Sequence, residues 1–90
     1  MNNLHESITR RVAVVISSRQ SHSLILENLL EKMRIKVFKI ETIYEANKLI
    51  SQELPHLVIS DAILKDGKLS SLMEKLSEDK AFKQMPVILT

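Results

Sequence analysis

A chain of 90 residues has room for one small domain, and 44% apolar with 27% charged residues is the balance of a packed fold rather than a disordered one. The 13 basic and 11 acidic residues interleave to a net charge of +2, and the aromatics are limited to Phe38, Tyr44 and Phe82, so a phosphate-and-stacking surface for nucleic acid is not supported. Cysteine is absent, which excludes disulfides and thiolate metal sites and fits a reducing compartment, so the expected location is cytoplasmic.

Residues 1–10 are polar and aperiodic and are expected to form a flexible lead-in to a domain spanning 11–90. "VAVVI" (Val12 to Ile16) follows, the longest apolar run and far too short for a membrane span. It is β-branched with no polar alternation, which predicts a strand buried on both faces of a parallel sheet. The run stops in Ser17, Ser18, Arg19 and Gln20. From about Gln20 to Arg34, Leu24, Ile25, Leu26, Leu29, Leu30 and Met33 recur at helical spacing and are expected to face the core.

"KVFKI" reads as a second strand whose two lysines suit a sheet edge. Thr42, three residues ahead of Glu45, makes a capping box for a helix with its stripe on Ile43, Ala46, Leu49 and Ile50. Pro55 ends that segment, and "HLVIS" is a further buried strand closed by Asp61. A loop with Asp66 and the only glycine, Gly67, leads to a short helix on Leu69, Leu72, Met73 and Leu76. A connector then reaches "VILT", a strand ending at Thr90.

Alternating strands and helices with short connections predict right-handed crossovers in one parallel sheet. Its working site belongs at the carboxyl ends of the strands. Ser17 and Ser18, Asp61 and Thr90 should meet there. The histidines at 5, 22 and 56 have no partner at metal-ligand spacing and are expected to be exposed or hydrogen-bonded.

From Arg11 to Thr90 the sequence resembles the receiver domains of two-component response regulators. The resemblance rests on "VAVVISS", "YEANKLI", "LPHLVISDAIL" and "MPVILT". It implies a flavodoxin-like α/β fold in three layers, with a parallel sheet in strand order 2-1-3-4. Asp61 then matches the phosphoacceptor, and Thr90 the hydroxyl residue that contacts the phosphoryl group. A magnesium ion would be held by Asp61, the backbone carbonyl of Ile63 and an acidic pair.

Where the family has that pair, this chain has Ser17 and Ser18, and neutral hydroxyls do not replace carboxylate charge. Those serines are expected instead to satisfy backbone groups where the first helix begins. Arg19 has two orientations open to it, toward Asp61 or into solvent. The fifth strand, its lysine and the flanking helices implied by the resemblance are lacking. Apolar side chains of the first helix are then expected to be uncovered as well, so the expectation is either a piece of a longer protein or association through the fourth strand, Val87, Ile88 and Leu89, and the surface beside it.

The favoured reading is a pseudo-receiver that signals by protein-protein interaction without phosphorylation and is not an enzyme. The alternative is a domain phosphorylated on Asp61 by a histidine kinase or phosphotransfer protein. Partners would be such proteins or an output domain. No cofactor is expected, magnesium entering only under the alternative. An unrelated ligand-binding fragment of flavodoxin type is disfavoured, because no glycine-rich loop follows the first strand.

Overall fold

The structure is a computed structural model that describes residues 11–80, 82 and 84–90. The lead-in expected at 1–10 lies outside the described residues. In chain order the elements are β1 (Arg11–Ile16), α1 (Gln20–Lys32), β2 (Ile35–Ile40), α2 (Ile43–Glu53), β3 (Leu57–Ser60), β4 (Ile63–Leu64), β5 (Gly67–Lys68), α3 (Leu69–Ser77) and β6 (Val87–Leu89).

Four of these strands form one parallel sheet in the order β2-β1-β3-β6, which is 2-1-3-4 when only its own strands are counted. The expected order is thus the observed one. β4 and β5 form a separate antiparallel hairpin inside what the sequence suggested was a plain loop. Its turn works because Gly67 takes φ +149, and an added Cβ there would meet Ile43 Cδ1 at 3.1 Å.

β1 lies in the middle of the sheet and is buried from Ala13 to Ile16, as an unbroken apolar run should be. Val14, Ile16 and Val58 face a larger core with Ala46 and Ile50 of α2, Leu64, and Leu69, Leu72 and Leu76 of α3. Ala13, Val15 and Ile59 face the opposite side, where Leu30 of α1 packs on them. Full burial of one such side chain stabilises the fold by about 1.5–3 kcal/mol.

The two faces are unequally covered. Of the six apolar residues expected to bury along α1, only Leu30 is buried and Leu26 half-buried, while Leu24, Ile25, Leu29 and Met33 are 50–67% exposed. The apolar positions wrap further round the helix than one sheet face can cover. Met73 of α3 is exposed for a similar reason, with Leu69, Leu72 and Leu76 making the contact. α1 stops at Lys32 because Arg34 adopts the left-handed conformation, φ 63. β2, with Lys36 and Lys39 exposed, and β6 are the two sheet edges.

Candidate functional site

The strands end in register. The Ser17 N–H donates to Ile40 O at 2.9 Å, the Asp61 N–H to Ile16 O at 3.0 Å and the Thr90 N–H to Ser60 O at 3.0 Å. Ser17, Asp61 and Thr90 are therefore the first residues beyond β1, β3 and β6, and they sit on one rung of the sheet. Backbone pairing alone brings together residues 44 and 29 positions apart in sequence.

Side chains then close the site. The Ser17 hydroxyl donates to Asp61 Oδ2 at 2.8 Å and accepts the Arg19 N–H at 3.0 Å. The Arg19 guanidinium reaches back over the β1–α1 turn, and its Nη2 donates to Asp61 Oδ1 at 2.6 Å. Thr90 Oγ1 approaches the same oxygen at 3.4 Å and is itself 2.9 Å from His22 Nε2. Among the described residues no buried side-chain nitrogen or oxygen is left unpaired.

Asp61 is only 8% exposed and Ser17 only 3%. Burial pushes the Asp61 carboxyl up, but hydrogen bonds from Arg19 and Ser17, with the charges of Arg19 and His22, outweigh it. Its pKa consequently lies below the usual carboxylate value. The Arg19 guanidinium is correspondingly raised, chiefly by its hydrogen bond to Asp61. Asp61 is thus a carboxylate whose charge is favoured and neutralised from within the chain.

Of the residues that the sequence nominated, Ser17, Asp61 and Thr90 are brought together and Ser18 is not, since it lies exposed outside the cluster. Ser17 does satisfy a backbone group at the start of α1, as expected, and also holds the carboxylate. Arg19 turns inward. Ile63, two residues beyond Asp61, opens the β4–β5 hairpin with its side chain 71% exposed. Among the described residues there is no group of three or more His, Cys, Asp or Glu able to hold a metal ion.

His22 is hydrogen-bonded, within the expectation for it, but its partner was not foreseen: it meets Thr90 across 68 residues of chain, a pairing with no local signal. His56 is hydrogen-bonded at the opposite end of the sheet, accepting the Val12 N–H on Nδ1 at 3.2 Å.

The four-stranded parallel sheet and its helices have counterparts among solved structures. A response regulator from Chloroflexus aurantiacus superposes with a TM-score of 0.83 at 18% identity, over 90% of this chain and 66% of its own. The MaeR response regulator bound to beryllium trifluoride gives 0.78 at 28% identity, over 89% and 66%. The fold is that of response regulator receiver domains. The non-phosphorylated HemR receiver domain from Leptospira biflexa agrees, with a TM-score of 0.77 at 24% identity over 87% of this chain and 61% of that one.

The chain thus spans 61–66% of the length of these receiver structures. No protein-family model matches the sequence, and no curated protein does. No helix among the described residues is long and apolar enough to cross a membrane. On this receiver fold, Asp61 stands at the end of the third sheet strand with a guanidinium, not a second carboxylate, beside it.

Proposed function

We propose that this chain is a receiver-like signalling module that acts in the cytoplasm through protein-protein contacts and without phosphorylation. The observation that carries this reading is the engagement of both Asp61 oxygens, Oδ2 by Ser17 and Oδ1 by Arg19 and Thr90. A carboxylate that attacks phosphorus needs a free oxygen and a divalent cation to neutralise phosphate charge.

The donor set does not fit such a cation. Magnesium is held by one or two carboxylates and dehydrates reluctantly. Here Asp61 supplies the only carboxylate of the cluster, Ser17 supplies a neutral hydroxyl, and Arg19 brings positive charge to within 2.6 Å. The proposed role therefore uses no metal, and the chain needs no enzymatic activity of its own for it.

Partners would be a histidine kinase, a phosphotransfer protein or an output domain, engaged as docking surfaces. A second copy is a further candidate, pairing along β6 through Val87, Ile88 and Leu89, an edge that carries no charge. The alternative, phosphorylation on Asp61, is favoured by one observation, the common rung that sets Thr90 beside Asp61.

Titration of magnesium and beryllofluoride while amide shifts are followed separates the two. The expected result is no saturable change at Asp61 or Thr90 up to millimolar concentrations. Saturable shifts that disappear in Asp61→Asn would establish the phosphoacceptor instead.

A further inference from the structure

Arg19 stands where local rules disfavour it. It is the N-cap of α1, a position that prefers Ser, Thr, Asp or Asn, and its side chain makes no cap hydrogen bond. A cation there also opposes the positive end of the helix dipole, and the first turn of α1 contains no acidic residue to offset it. A local conflict of this kind persists only when something outside the helix compensates. Asp61 does so from 42 residues away, at 2.6 Å.

The turn is built to deliver the guanidinium. The Ser17 hydroxyl accepts the Arg19 N–H at 3.0 Å, which fixes the backbone of residue 19 in an extended conformation, and the same hydroxyl donates to Asp61 at 2.8 Å. One serine therefore orients both the cation and the anion. Asp61 Oδ1 then gathers Thr90, with His22 behind it at 2.9 Å.

We propose that the Arg19 guanidinium is a built-in replacement for a divalent cation, neutralising Asp61 from within the chain and fastening the ends of β1, β3 and β6 in one arrangement. The inference rests on the phosphorylation-independent reading above and adds the residue that enforces it. A bound ion leaves when its concentration falls. A covalently attached cation does not, so the state of this site is independent of the ionic supply.

The test restores the missing carboxylates in the whole chain, Ser17→Asp with Ser18→Asp, once with Arg19 kept and once with Arg19→Ala. Manganese alone is the probe, read through paramagnetic broadening of the Asp61 and Thr90 amides. Manganese should bind at least about tenfold more weakly when Arg19 is kept, since a like charge at contact distance opposes it. Equal affinities overturn the proposal.

If the doubly acidic chains do not fold, the native pair decides. Asp61→Asn should lower the unfolding midpoint, and its effect should shrink by more than half in an Arg19→Ala background, whereas Arg19→Lys should preserve it. An Asp61→Asn effect of the same size with and without Arg19 overturns the proposal. Neither measurement uses a phosphoryl mimic. A beryllofluoride response in the unmodified chain would therefore overturn the functional reading without deciding the role of Arg19.

Discussion

Asp61 accepts from three donors on two separate stretches of chain, Ser17 and Arg19 in the β1–α1 turn and Thr90 beyond β6, and its ionisation is tied to folding for that reason. Its pKa lies below the usual value in the folded state, and so does that of Asp66, through the N–H groups of Ile43 and Tyr44. In the unfolded chain both titrate near pH 3.9, about the ordinary aspartate value. Between that value and the lower folded one, the unfolded state holds protons that the folded state does not. Acid therefore favours unfolding: the contribution is complete above about pH 5 and is lost as pH falls through about 4 and below. Urea midpoints measured across that window should decline with acidification, and Asp61→Asn should flatten part of the decline while Asp66 sustains the rest. The sequence supplied Asp61, Ser17 and Thr90 because strand ends are set by apolar runs. It left Arg19 undecided, because a long cationic side chain beside a turn has no periodicity to orient it.

At the scale of elements, the start of α2 accounts for each of its first amides. Thr42 Oγ1 accepts the Glu45 N–H at 3.1 Å, and the Ala46 N–H reaches Thr42 O at 3.1 Å. Asp66 takes the Ile43 and Tyr44 N–H groups at 2.8 and 3.0 Å. The capping box was readable as Thr42 and Glu45 three apart, although Glu45 reaches back to Thr42 Oγ1 and to the Glu41 N–H rather than to the N–H of Thr42 itself. The Asp66 contribution was not readable, since it comes from the tip of a hairpin more than 20 residues away. Asp66→Ala should lower the melting temperature by about 4 °C or more, with Asp66→Asn losing less because an acceptor oxygen remains. The opposite sign is expected behind α1, where Arg34 holds φ 63 at a cost that glycine avoids. Arg34→Gly should stabilise by up to about 1 kcal/mol, raising the melting temperature by a few degrees in the same scan.

For the whole molecule, alternating strands and helices announced the parallel sheet and its order, because short connections leave few topologies. Along α1 the apolar stripe was expected to be core with some side chains left uncovered, and the uncovered share is the larger, since a stripe of apolar residues says which face could be buried and not whether anything covers it. Ile25, Leu29 and Met33 follow one another at four-residue intervals and stay exposed, and Ile88 of β6 is 49% exposed beside its register partner Ile59. In light scattering, the average mass should rise with concentration from 10.3 kDa toward twice that value, and Ile88→Lys should hold it at the lower figure.

The two edges of the sheet differ in a way that limits how far such growth can go. β6 is bare and β2 carries Lys36 and Lys39. Adding a copy in head-to-tail fashion would press each bare edge against a charged one, and repetition of that contact would give a fibre. Bare edge against bare edge uses up both available surfaces at the first encounter. A pairing of that kind through β6 would close at two subunits, with Lys36 and Lys39 on the opposite edge of the sheet opposing further growth.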